Sequence, residues 1–201
     1  MRILVIGASG TIGSAVADGL AARHHVVRAS RRSQVRVDMA DAASVGALFE
    51  EAGEVDAVVC CAASGGLAPL DTPSDDDFWR GLDGKLIGQV NLLRRALPYV
   101  RDGGSVTLTS GRFAAPVVGS SLAYLVNTGL EAFVYAAAIE MPRGVRLNVV
   151  SPGWVRETLV RLGMEPADGT PAAEVARIYL DAVEGTANGR TLTVSEGVTL
   201  P

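Results

Sequence analysis

Gly7, Gly10 and Gly13 recur at intervals of three in Ile3-Leu4-Val5-Ile6-Gly7-Ala8-Ser9-Gly10-Thr11-Ile12-Gly13. Residues without a side chain at this spacing let a backbone do chemistry of its own. Gly7 permits a tight turn, Gly10 lets main-chain N–H groups approach a pyrophosphate, and Gly13 lets the following helix pack closely on the preceding strand. A helix starting at Thr11 aims unpaired N–H groups and a positive dipole end at the same anion, and Ser9 and Thr11 add hydroxyl donors. An apolar strand pattern precedes the glycines and a helical one follows, which is the context such a turn requires.

About twenty positions further on, where an acid would grip a ribose hydroxyl, the chain has Ala29 and Ser30, then Arg31 and Arg32. Two guanidinium groups suit a 2'-phosphate, so the spacing predicts NADP(H) over NAD(H); the plainer reading is two arginines solvating a loop. Lys85 is the only lysine among 18 basic residues. Cys60 and Cys61 are adjacent, poor geometry for a disulfide and no metal-ligand spacing, and read as small apolar residues ending a buried strand. No metal is expected. His24 and His25 fall at the opposite end of the first helix from the glycine turn and read as surface residues.

Seven strand-like runs supply the frame: 3–6, 26–29, 35–37, 57–61, 105–109, 146–150 and 191–194. Helical periodicity occupies Thr11 to Arg23, Ala42 to Ala52, Asp75 to Leu97, Ser121 to Glu140 and Pro171 to Val183. The alternation predicts one α/β domain over residues 1–201, a Rossmann-type, doubly wound, mostly parallel sheet of about seven strands. Only Ser30 to Gln34 separate the second and third runs, too few for a helical crossover, so that helix should be missing.

With 48% hydrophobic and 20% charged residues, the 201-residue chain can bury a core. A net charge of −4 argues against a nucleic-acid partner. No uninterrupted apolar run reaches the roughly eighteen residues of a membrane span, and Met1 leads directly into a strand pattern instead of a signal peptide, so a cytoplasmic location is expected.

The glycine turn is joined by Val37-Asp38-Met39, by Val58-Val59-Cys60-Cys61-Ala62-Ala63 and by Asn148-Val149-Val150-Ser151-Pro152-Gly153-Trp154-Val155-Arg156-Glu157-Thr158. In this order the blocks resemble the short-chain dehydrogenase/reductase family. The resemblance implies a nicotinamide enzyme, homodimeric or homotetrameric, acting on a small molecule. It implies that Asp38 approaches the adenine amine, that Ala62 lines the adenosine site, and that Pro152, Gly153, Val155 and Thr158 surround the nicotinamide. Met39, Cys61 and Ala63 join the cofactor contacts on the same basis.

The departures concern catalysis. The family carries Tyr and Lys four apart on the helix after the fifth strand, the lysine lowering the phenol pKa. Those positions hold Ala123 and Asn127. Tyr124 is one residue along, about 100° around the helix, and reads equally as a packed side chain. Lys85 stands where the family commonly has a helix asparagine, so the cation has moved there or is merely solvated. Ser110 is the candidate for the family's serine, with Gly111 the alternative register, and Arg112 is a possible anion contact.

Two functions remain open: an NADP(H)-dependent oxidoreductase of carbonyls or alcohols using Ser110, Tyr124 or Lys85, and a non-catalytic NADP(H)-sensing domain. Another nucleotide-binding α/β protein, such as a methyltransferase, is disfavoured by the paired arginines and the Ser-Pro-Gly block.

Overall fold

The computed structural model describes residues 1–62, 65–79 and 81–194. Seven strands, β1 (Arg2–Ile6), β2 (His25–Ser30), β3 (Val35–Arg36), β4 (Val55–Cys60), β5 (Val100–Thr109), β6 (Arg146–Val150) and β7 (Thr191–Leu192), form one sheet in the order β3-β2-β1-β4-β5-β6-β7. Every pairing is parallel. The order reverses between β1 and β4, and in open parallel sheets ligands lie in the crevice beyond the carboxyl ends of strands at that point. The expected fold is therefore present, with Arg31 to Gln34 replacing the crossover helix between β2 and β3.

Alternate residues of the central strands bury opposite faces, giving two cores. Leu4, Ile6, Val58 and Leu108 face α2 (Ala42–Ala52) and two later helices, α4 (Gly88–Ala96) and α5 (Ser121–Ala137), whereas Ile3, Val5 and Val59 face α1 (Thr11–Ala21) and α7 (Ala172–Glu184). Caps mark the polar starts: Asp41 accepts from Ala43 N–H at 2.8 Å at the head of α2. Far from the crevice, half-buried His24 meets Glu184 of α7 at 2.9 Å. This histidine is an inter-helix contact more than a free surface group.

The single helix expected over Asp75 to Leu97 is three pieces: α3 (Asp75–Phe78), a π-helical turn (Leu82–Ile87) and α4. Gly81, at φ +101°, supplies a left-handed residue that breaks the run. β5 begins five residues earlier than its apolar pattern, through Gly103 and a register shift opposite β4.

The stretch Ser121–Glu140, α5 with the 3₁₀ turn continuing it, is long and apolar enough by length and composition to cross a membrane, with a mean hydropathy of 1.4. The expectation of no such segment rested on uninterrupted runs, which Asn127, Thr128 and Glu131 break. Here α5 packs on the sheet through Leu130 and Val134 and leaves Leu125, Tyr135 and Ile139 exposed. A further short helix, α6 (Arg156–Arg161), follows β6.

The tightest contact joins β1 to α1. A methyl group at Gly13 would lie 2.1 Å from the Gly7 carbonyl oxygen. Gly13→Ala should therefore cost about 3 kcal/mol, a fall in Tm of about 6–12 °C by calorimetry; an unchanged Tm would show that the contact has slack.

Candidate active site

The glycine turn opens a cleft of about 680 Å³ at the switch point. Gly7 has φ +78°, and any side chain there would run into the backbone of Cys61 and Ala62 at 2.6–2.9 Å. At Gly10 only the Gly7 carbonyl lies near, so a side chain would stand in the cradle itself. The Gly7 N–H bonds Ala29 C=O at 2.8 Å and the Cys61 N–H bonds Ile6 C=O at 2.8 Å, which ties the rim of the cradle to three strands. These main-chain groups fit a diphosphate at the start of α1.

Gly7, Ser9, Gly10, Ser30, Arg31, Arg32, Asp38, Met39, Cys61 and Ala62 all line this cleft. The Ser30 hydroxyl accepts from the N–H groups of Arg32 (3.1 Å) and Ser33 (3.0 Å) and shares a hydrogen with the Ser33 hydroxyl at 2.7 Å. Ser30 thus shapes the loop that presents two exposed guanidinium groups. Asp38, exposed, accepts from Ala40 N–H at 3.0 Å. Thr11, Ile12 and Gly13 form the first turn of α1 behind the cradle. Ala63 lies outside the described residues.

Pro152, Gly153 and Val155 lie between β6 and α6 and Thr158 lies within α6; none of them lines the adenosine-side cleft. The Pro152 carbonyl accepts from Arg112 N–H at 3.0 Å, while Val155 is buried among residues of α1 and α7. Asp76, Trp79, Asp83 and Arg161, not singled out from the sequence, line the cleft as well. Half-exposed Trp79 after an acidic run was the available signal.

A second, small cavity of about 30 Å³ takes in only Lys85 of the three catalytic candidates. Lys85, Ala123, Asn127, Gly65, Gly66 and Gly81 line it. A side chain built on Gly111 would start 3.5 Å from both Lys85 Nζ and Asn127 Nδ2. Gly111, not Ser110, is therefore the residue after β5 that faces the lysine. Ser110 is buried and donates to Glu131 Oε1 at 2.6 Å. Tyr124 lines neither cavity; its ring lies 5.5 Å from Phe113, which in turn lies 5.8 Å from Trp154 in an edge-on contact. The 100° offset expected for Tyr124 is what separates it from Ala123.

Lys85 is half-buried, and burial pushes its pKa down to about 8, partly opposed by the attraction of Glu131. Its backbone is held by Gln89, also missed from the sequence. The fully buried Gln89 amide donates to the carbonyls of Lys85 and Thr109 and accepts from Thr109 N–H, each at 2.8 Å. The wide π-helical turn leaves the Lys85 carbonyl to this side chain. The helical register that puts Gln89 on the same buried face as Leu92, Leu93 and Ala96 was the overlooked clue. The Asn127 Oδ1 is buried without a hydrogen-bond partner.

A family model described as Enoyl-(Acyl carrier protein) reductase matches residues 7–186. The chain is 30% identical over 203 residues to (5R,7aS)-5-hydroxy-7a-methyl-1-oxo-2,3,5,6,7,7a-hexahydro-1H-indene-carboxyl-CoA reductase of Mycobacterium tuberculosis (strain ATCC 25618 / H37Rv), covering 86% of this chain and 75% of the relative. Among solved structures, the protein lin1944 from Listeria innocua superposes with a TM-score of 0.91 at 38% identity, covering 96% of this chain and 99% of that one. A structure described as a small-chain dehydrogenase superposes with a TM-score of 0.83 at 27% identity, covering 98% and 97%.

The surroundings of both cysteines disfavour the thiolate. Burial raises the Cys60 thiol to about 12 and the Cys61 thiol well above its ordinary value. Iodoacetamide at neutral pH should leave both unmodified in the native protein and label both in urea, read by intact mass; rapid native labelling would refute this.

Proposed function

Because the chain belongs to the short-chain dehydrogenase/reductase family, an oxidoreductase family, we propose that it is a cytosolic NADP(H)-dependent oxidoreductase of a small carbonyl or alcohol. The observation that carries this reading is the single cleft in which the glycine cradle and Arg31 and Arg32 converge. The main-chain N–H groups around Gly10 hold the diphosphate, and the two guanidinium groups neutralise the 2'-phosphate. Asp38 and Ala62 flank the adenosine. NADPH, when bound, supplies the hydride.

With Ala123 and Asn127 where the family carries its tyrosine and lysine, and with Gly111 facing the ammonium while Ser110 turns to Glu131, Lys85 is the proton donor in this reading. Its ammonium donates toward the oxygen of the reacting carbonyl, and Asn127 offers an amide beside it. The exposed apolar face of α5, with Leu125, Tyr135 and Ile139, supports assembly as a homodimer or homotetramer.

A second reading, an NADP(H) sensor, is favoured by the same absence of hydroxyls at Gly111 and Ala123. A screen of NADPH oxidation over aldehydes, ketones, quinones and enones separates the two: turnover on one class supports the oxidoreductase, and tight NADPH binding without turnover supports the sensor.

Calorimetric titration should show NADPH binding more tightly than NADH. Replacing Arg31 and Arg32 together with Ser should weaken NADPH by about 10–100-fold and leave NADH unchanged. Equal loss for both cofactors would remove the arginines from the 2'-phosphate site.

Lys85 carries its proton below its pKa of about 8, so carbonyl reduction should fall as pH rises through that value. Lys85→Met should lower the rate by about 10²–10⁴-fold and abolish that limb. A wild-type profile flat from about pH 6 to pH 10 would assign proton transfer elsewhere.

A further inference from the structure

Lys85 is seated by residues of two other elements, neither of which lies in the cofactor cleft. Gln89 belongs to α4, and its side chain makes three hydrogen bonds that lock the Lys85 carbonyl to the last residue of β5. Gly111, two residues past that anchor, faces Nζ. Gly88 reinforces the seat: a side chain there would strike the Met39 carbonyl oxygen at 2.4 Å, so the π-helical turn lies directly against backbone. Glu131 belongs to α5, one helical turn beyond Asn127, and is held from behind by the Ser110 hydroxyl. Its charge attracts Lys85 across space without a direct ion pair.

Among the described residues, those around the lysine are Leu122, Ala123, Val126 and Asn127 of α5, Gly111 after β5 and Gly65 and Gly66 after β4, with the charge of Glu131, also on α5, acting on it. On its own turn Asp83 is exposed and lines the cofactor cleft. Glu131 is therefore the carboxylate that balances the ammonium from the protein side.

We propose that Gln89 and Glu131 are positioning residues for Lys85, Gln89 fixing where the ammonium sits and Glu131 keeping it charged there. This rests on the reading of Lys85 as the reaction's proton donor, but it makes a claim that needs no turnover. Removing Glu131's charge leaves the ammonium desolvated with no counter-charge. Releasing the Gln89 strap frees the Lys85 backbone carbonyl from β5, so the turn that carries the side chain can shift toward water. The two changes thus move Lys85 in opposite directions, which a general loss of packing would not do.

The sole lysine makes the test direct, because protein grown with lysine labelled by ¹³C at Cε gives one side-chain resonance whose titration is followed by NMR. The wild-type midpoint should fall near 8. In Glu131→Gln, which retains an oxygen to accept from Ser110, the midpoint should drop by about half a unit or more, and Glu131→Asp should restore part of it. In Gln89→Met it should rise toward the ordinary lysine value of about 10.4.

A wild-type midpoint already at that ordinary value, or a Glu131→Gln midpoint within about 0.1 unit of wild type, overturns the proposal. Should Gln89→Met fail to fold, the Glu131→Gln titration decides alone. A protein that passes these titrations but never oxidises NADPH would refute the oxidoreductase reading and leave the seat of Lys85 intact.

Discussion

The close approach of α1 to the end of β1 governs everything at the carboxyl edge of the sheet. With hydrogen as the side chain at Gly7 and Gly13, the helix start comes within bonding reach of the β1 and β4 termini. Any larger residue at either position would collide with this backbone and force α1 away from the strand ends. The cradle, the depth of the cleft and the orientation of the first-turn N–H groups all follow from that one steric allowance.

A second constraint operates on the far side of the crevice, where a helix is deliberately irregular. Gly81 and Gly88 bracket a π-helical turn that ordinary α geometry would straighten. The wider turn redirects one carbonyl to Gln89, and through it joins the lysine to the end of β5. Irregularity of this kind costs intrahelical bonding and persists because a fully buried amide satisfies the released groups. The turn also lies against Met39 beside the adenosine-side cleft, so the two ends of the crevice share a structural element.

The two hydroxyls at the β5 terminus find partners on different elements. Thr109 donates to the Cys60 carbonyl and meets the Tyr179 hydroxyl at 2.7 Å, while Ser110 turns the other way to Glu131. Successive residues of a strand point to opposite faces, so a one-residue step decides which side of the sheet a hydroxyl serves. Past the end of β5 both following residues meet α5, Ser110 at Glu131 and Gly111 beside Asn127 and Lys85.

The parallel sheet, the missing helix between β2 and β3, and the gathering of Gly7, Gly10, Arg31, Arg32 and Asp38 were legible in the sequence because each depends on local periodicity or on short fixed spacings. What the tertiary structure alone decided was which side chains meet. Ser110 against Gly111, Tyr124 beside Phe113, and the partnership of Lys85 with Gln89 and Glu131 all turn on strand register and on a helix broken at Gly81. Linear spacing assumes regular helices and strands, and it is the departure from regularity that packing imposes which brings distant residues onto one cavity.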